Sequence, residues 1–347
     1  MNDRFLKACR REPVDATPVW FMRQAGRYMK AFRDIRAKHS LLTVCKTPEL
    51  ACEVTLQPIN RFDFDASIIF ADILLPLEPM GLNLEFVKGE GPCIHNPVRS
   101  EKDVDALKPV VPQETLSYVM EAIKLVRAEL KVPLIGFAGA PFTLASYMIE
   151  GGASRNYLET KKIMYGAPDV WDKLMNKLTR VLVDYLSAQV DAGAQVLQIF
   201  DSWIGALSPG DYKRYVFPHM KRLFSELQGF AVPLIHFGTG TATLLQMQKE
   251  AGGDVIGLDW RVNLDEAWDT LGHDVAVQGN LDPLILFAPI PEIEKRIDDI
   301  IGRANGRPGH IFNLGHGILP ETPFDAVEAV IQMVHEKSAT LLKASAV

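Results

Sequence analysis

The sequence predicts an α/β chain folded as a single closed (β/α)8 (TIM) barrel, with an active-site cleft at the C-terminal ends of its strands. Three observations carry that expectation. Eight short apolar runs, of the kind that form strands buried on both faces, recur along the chain. Helix-length segments with 3.6-residue periodicity separate them. The open, doubly wound alternative lacks its fingerprint, because GFAGAPFTL contains neither G-x-G-x-x-G nor G-K-S/T. Dinucleotide and nucleoside-triphosphate readings fall with it.

The first run is VWFM (19–22), followed by a helical stretch from Pro48 to Asn60 with Thr47 as cap and proline in the first turn. SIIF (67–70) is the second. The segment LNLEFVKGEGPCIHNPVR (82–99) reads as an inserted hairpin with KGEGP as its turn. A helix over Thr115 to Leu130 leads to LIGFAG (134–139), and one over Pro168 to Ala192 leads to VLQIF (196–200). Pro209 to Leu227 reads as one helix before LIHF (234–237), after which VIGLD (255–259), VAVQG (275–279) and IFNLG (311–315) complete the set. No repeat of fixed period, low-complexity tract or long linker divides the chain, so one domain over 1–347 is expected.

Composition sets the bounds. The chain is 48% hydrophobic and 23% charged, with no stretch approaching eighteen apolar residues, which gives a large soluble core and no membrane span. MNDRFLKACRREPVDATP has no apolar h-region and carries acids, so a cytoplasmic protein is expected. Cys9, Cys45, Cys52 and Cys93 fall in the first third without a C-x-x-C pair, which signals reduced thiols rather than a disulfide framework or a zinc site.

Charge points to the ligand. From Trp20 to Lys46 seven Lys and Arg face one acid, Asp34, a local excess of six positive charges in a chain whose formal charge is −6. Such an island suits an anionic small molecule. It argues against nucleic acid, which calls for a basic face over a whole domain.

In a barrel of this kind the chemistry sits just past each strand, at Arg23, Asp72, Ala140 to Tyr147, Asp201, Ser202, His236, Asp259, Asn280, Asp282 and His316. Residues there also cap helices and satisfy loop amides, so the set informs more than any member. Arg23 and Arg27 are four apart, and Arg33 and Arg36 three apart; if the segment turns helical, each pair shares a face. Arginine grips a carboxylate bidentately where lysine cannot. Gln24 adds an amide donor, and Gly26 lets backbone amides from Gln24 through Ala25 to Arg27 form a small anion nest. Asp72, in SIIFADILLPL, lies among apolar neighbours with no base nearby in sequence, an expensive place for a carboxylate unless it caps a helix or has a partner in space.

MRQAGRY, IIFADIL, GFAGAPFTLASYMIEGG, LDW, QGNLDP and NLGHGI, in this order from about Asn2 to Leu342, resemble the uroporphyrinogen decarboxylase family. The resemblance implies an enzyme without metal or organic cofactor, usually a homodimer of (β/α)8 barrels. It converts the four acetate side chains of uroporphyrinogen III to methyls, with release of carbon dioxide, in haem biosynthesis; the product is coproporphyrinogen III. It also implies Asp72 and Arg23 as catalytic residues, and Arg23, Gln24, Ala25, Gly26, Arg27, Arg36, Asp72, Tyr147, Ser202 and His316 as substrate-binding ones. The matching aspartate accepts hydrogen bonds from the pyrrole N–H groups. More than one proton donor stays open, Arg23 among them, although a guanidinium is a very weak acid. Phe200 and Phe142 are candidates for the macrocycle edge or for the core, while His219, His273 and His310 belong to no motif and are expected at the surface.

Two rivals remain. Related corrinoid-linked methyltransferases resemble this fold but bind zinc through a histidine followed two residues later by cysteine, and a later cysteine. Here the strand reads His236-Phe237-Gly238 and no cysteine follows Cys93. A non-catalytic tetrapyrrole carrier would keep the arginines without needing the anion at Asp72.

Overall fold

The computed structural model describes residues 2–87, 89 and 91–345. Its strands are β1 (Ser67–Ile68), β2 (Leu84–Val87), β3 (Gly91–Ile94), β4 (Leu134–Gly139), β5 (Val196–Asp201), β6 (Leu234–Gly238), β7 (Val255–Gly257), β8 (Ala276–Gln278) and β9 (His310–Ile311). Seven of them form one parallel sheet in the order β1-β4-β5-β6-β7-β8-β9. The remaining pair is antiparallel, with Leu84 opposite Ile94 and Val87 opposite Gly91. Of the KGEGP turn between them, Lys88 and Glu90 lie outside the described residues.

Parallel neighbours need a crossover, and here it is helical throughout. Pro168–Ala192 precedes β5, Phe217–Leu227 precedes β6, Leu245–Ala251 precedes β7, Leu264–Leu271 precedes β8 and Ile290–Ala304 precedes β9. Helices on the outside and side chains inside leave every residue of β4 buried, which is why that strand reads as an unbroken apolar run. Among the described residues no helix is long and apolar enough to cross a membrane. All four cysteines are free, three of them buried.

The sheet curls in a TIM-barrel-like manner. A chain of side-chain bonds proves the curvature: Trp20 Nε1 donates to Gln278 Oε1 (2.9 Å), and Gln278 Nε2 donates to Gln198 Oε1 (3.2 Å). Gln278 is on β8 and Gln198 on β5, with β6 and β7 between them in the sheet. Side chains of strands that far apart in a flat sheet, where neighbours are about 4.8 Å apart, could not touch.

Two expectations need correction. The run VWFM makes one parallel bridge, Val19 to Phe312, and no strand. Its ladder stops because side chains take over its donors: Phe21 N–H goes to Gln24 Oε1 (3.1 Å) and Met22 N–H to Asn313 Oδ1 (3.1 Å). The single helix expected over Pro209 to Leu227 is two, Pro209–Tyr215 and Phe217–Leu227. Pro218 has no N–H to continue the ladder, and the break falls just before it.

Candidate active site

The C-terminal ends of the core segments bring five of the expected residues to one rim. Arg23 follows the first run, Asp72 follows β1, Tyr147 lies on the helix Pro141–Glu150 that follows β4, Ser202 follows β5, and His316 follows β9.

Arg23 joins them. Its backbone is left-handed, with φ 64°, a conformation few residues other than glycine adopt. The loop after β9 lies against its side chain: a Cβ on Gly317 would stand 2.8 Å from Arg23 Cγ and 3.0 Å from Nε. Glycine is needed there for the arginine to keep its place. The Arg23 charge is felt by three partners from three separate segments, opposing the upward push of burial on Asp72 and Tyr147 and adding to the downward push on His316.

Asp72 is half-buried, with Ala71 and Ile73 on either side of it. Burial pushes its pKa above the usual aspartate value, while the Leu74 N–H and then Arg23 pull it down. Oδ1 accepts from Leu74 N (2.9 Å) and so starts the 3-10 turn Leu75–Leu77. Oδ2 takes no hydrogen bond from any described residue.

Tyr147 stacks on Trp203, with ring centroids 3.9 Å apart. Burial and then Asp72 push its hydroxyl up, so it keeps its proton and is a donor at neutral pH. The wall behind it is held by Thr143, whose hydroxyl donates to Asp201 Oδ1 (3.0 Å) and accepts from Trp203 N (3.4 Å). Asp201 is fully buried, its Oδ2 has no partner among the described residues, and burial pushes its pKa to about 7 against the Thr143 hydroxyl. Ser202 is fixed through its carbonyl, which accepts from Thr239 Oγ1 (2.5 Å). His316 Nδ1 accepts from Gly317 N (2.7 Å), which leaves the proton of the neutral ring on Nε2. Burial, then Arg23, then Arg261 push this imidazole to about 4, so it offers a neutral N–H donor.

The basic stretch divides. The Gln24 side chain is a correction: it is fully buried, accepts from Phe21 N and donates to Ala66 O (3.1 Å), so it builds the core and offers nothing to a ligand. The backbone beside it does. Gln24 N–H is taken by Phe21 O, but the N–H groups of Ala25, Gly26 and Arg27 have no acceptor among the described residues. A side chain at Gly26 would stand 2.8 Å from Arg23 O, so the tight turn requires glycine. Arg27 is exposed. It shares no helical face with Arg23, since the helix begins only at Lys30; Arg33 and Arg36 do lie on that helix, Lys30–Arg36. Arg33 Nη1 is spent on Arg27 O (2.8 Å) and Tyr28 O (2.9 Å), and Arg36 Nη1 donates to His39 O.

Other expected residues lie elsewhere. His236 is in the middle of β6, fully buried beside Phe224 at 4.8 Å, and is not at the rim. His219 and His310 are buried rather than at the surface, His310 Nε2 meeting Gly279 O at 3.0 Å; His273 is half-exposed beside Asp269. Phe142 is a core residue packed on Trp171, whereas Phe200 is only partly buried. Sequence reasoning missed two residues of this rim, Trp203 and Arg261. Trp203 directly follows Ser202, and Arg261 directly follows the LDW motif, which was the available signal. Among the described residues no group of three or more His, Cys, Asp or Glu is arranged to hold a metal ion.

Comparison with known proteins agrees over the whole chain. A family model described as Uroporphyrinogen decarboxylase (URO-D) matches residues 1–337. The uroporphyrinogen decarboxylase of Sorangium cellulosum is 58% identical over 337 residues, covering 96% of each chain. That of Carboxydothermus hydrogenoformans is 56% identical over 341 residues, covering 98% of this chain and 97% of its own. Among solved structures, a methyltransferase from Methanosarcina mazei superposes with a TM-score of 0.82 over 97% of this chain and 98% of its own. At 19% identity that likeness is one of fold.

Proposed function

This chain belongs to the uroporphyrinogen decarboxylase family, and we propose that it removes the four acetate carboxyls of uroporphyrinogen III as carbon dioxide, leaving coproporphyrinogen III. The observation that supports the site assignment is the convergence on Arg23, one cation felt at once by Asp72, Tyr147 and His316 from two loops and a helix. Asp72 Oδ2 accepts from the pyrrole N–H groups of the substrate. A pyrrole protonated at its α-carbon is a cation that takes up the electron pair of the breaking bond to carbon dioxide; protonation of the resulting methylene makes the methyl, and loss of the α-proton restores the ring. A fixed anion at ~4 Å and an effective dielectric near 20 is worth about 4 kcal/mol to that cation. Enzymes supply roughly 8–23, so positioning and proton donation contribute the rest.

Arg23 is the cation nearest the reacting ring and the proposed donor or orienter of the proton. Arg27, Arg36, the free amides of Ala25 to Arg27, Tyr147, Ser202 and His316 bind the remaining carboxylates. For Gln24 we retain only its part in shaping that turn. The chain acts in the cytoplasm as one domain over 1–347, with 82–99 inserted, and as a homodimer. Segment 18–22 completes an eight-membered barrel, a reading supported by its bonds to Phe312 on one side and from Asp65 N to Val19 O (2.8 Å) on the other.

The test is anaerobic incubation with uroporphyrinogen III in the presence of chelator, with carbon dioxide and the number of remaining carboxyls measured and the oligomer sized by sedimentation. Four equivalents of carbon dioxide per macrocycle are expected. Binding without release would make the protein a carrier, and activity lost to chelator but restored by zinc would point to methyltransferase-like chemistry.

A further inference from the structure

Arg261, just past β7, has no assigned part in this site, yet it is held as a ligand-binding arginine would be. Its N–H and its Nη1 both go to the buried carboxylate of Asp259, at Oδ1 (2.9 Å) and Oδ2 (2.6 Å) respectively. Asp259 Oδ2 also accepts from Gly240 N (2.5 Å), which ties the loop after β7 to the loop after β6. The Trp260 ring lies 3.9 Å from the guanidinium carbon and supports the group from beneath.

The surrounding backbone is equally fixed. Asn280 Nδ2 donates to Asp259 O and Val262 O, both at 2.8 Å, from the loop after β8. Gly315, next to His316, packs so closely that a Cβ on it would collide with Trp260 N. Three neighbouring loops thus define where this one side chain stands. An ordinary surface ion pair needs none of that. Despite the pairing, the Arg261 side chain is 53% exposed while Asp259 is 2% exposed. Its Nε and Nη2 have no acceptor among the described residues, and its charge, like that of Arg23, is felt at His316.

We infer that Arg261 is a further carboxylate-binding residue of the cleft, gripping one propionate of the macrocycle through Nε and Nη2 while Asp259 and Trp260 hold its orientation. The inference rests on the decarboxylase reading. A propionate is the fitting partner because it survives every turnover, so one rigid contact serves all four decarboxylations, whereas an acetate at the same place would be consumed.

A contact made alike in ground and transition states appears in KM rather than kcat. Arg261→Ala should raise KM for uroporphyrinogen III about tenfold to a hundredfold, the loss of one charged bidentate contact, with kcat falling less than about threefold. Arg261→Lys should recover only part, because a point charge cannot grip bidentately. A purely structural arginine would serve only to neutralise Asp259, and then the double variant Asp259→Asn/Arg261→Ala would return KM to the parent value. We expect KM to stay raised in that double variant, which also carries the test if Arg261→Ala alone does not fold. An unchanged KM in Arg261→Ala, or its recovery in the double variant, overturns the inference. Absence of carbon dioxide release from the parent would instead overturn the decarboxylase reading itself.

Discussion

At Asp72 one carboxylate oxygen accepts from Leu74 N and the other has no partner among the described residues, so removing the charge need not unmake the loop. Asp72→Asn keeps the acceptor for Leu74 N and the size of the side chain. Turnover should then fall by at least about 10²–10³, the usual cost of one preorganised electrostatic contact. Binding of the macrocycle, read by quenching of Trp203, should change far less. A variant that turns over near the parent rate would remove Asp72 from the chemistry. Burial raises the pKa of this carboxyl, and the proposed mechanism needs its anion, so the acid limb of kcat/KM should lie above the usual aspartate range. This residue was legible in the sequence because an aspartate among apolar neighbours has few inexpensive explanations. Gln24 was not, for it stands between two exposed-looking cations and only the turn at Arg23 sends its side chain inward. Arg261 escaped for a similar reason, since nothing in the sequence ties it to Asp259 and Trp260 as orienting partners.

Elements were legible where burial on both faces writes an unbroken apolar run, as in β4, whose six residues match LIGFAG throughout. The first run has the same composition and yet forms no strand, because Gln24 and Asn313, the latter nearly three hundred residues away, cap its donors. What fixes that segment is a carboxylate that sequence reasoning passed over. Asp65 is 1% exposed and accepts from Arg4 Nη1 (2.6 Å), Asn2 Nδ2 (3.0 Å) and Val19 N (2.8 Å), with His335 Nε2 at 2.7 Å. It thus clasps the N-terminal helix Arg4–Cys9, the first run and the C-terminal helix Phe324–Ser345 to the start of β1. Removing Asp65 would leave the buried Val19 N–H without its acceptor and take one carboxylate from Arg4 and from His335, and breaking such a buried pair typically costs about 3–5 kcal/mol. Asp65→Ala should therefore lower unfolding free energy by about 3–5 kcal/mol in urea, whereas Asp15→Ala, which removes the exposed partner of the same Arg4, should cost less than about 1 kcal/mol. Equal effects would mean that Asp65 is not the clasp.

Over the whole molecule, buried titratable groups set the response of stability to pH. His236, His310 and His316 are pushed to about 4, chiefly by burial, each from 6.5. The unfolded chain takes up three protons that the folded one refuses, so their contribution is present above pH 6.5 and lost as pH falls toward 4. Asp201 has the opposite sign. Its folded pKa of about 7 lies above the ordinary 3.8, so its contribution is full below 3.8 and is lost as pH rises from there to 7. Between pH 5 and 6 Asp201 therefore cancels about one of those three protons, and stability should still rise with pH there. The rise should end near pH 7, where the histidines of the unfolded chain are neutral. Asp201→Asn retains an acceptor for Thr143 and removes only the titration. In urea denaturation across pH 5 to 8 the variant's stability should rise more steeply than the parent's between pH 5 and 6, by roughly 1.4 kcal/mol per pH unit, since Asp201 no longer opposes the histidine protons. An unchanged slope would mean that Asp201 is already ionised at pH 5, and that its orphaned oxygen has a partner in solution.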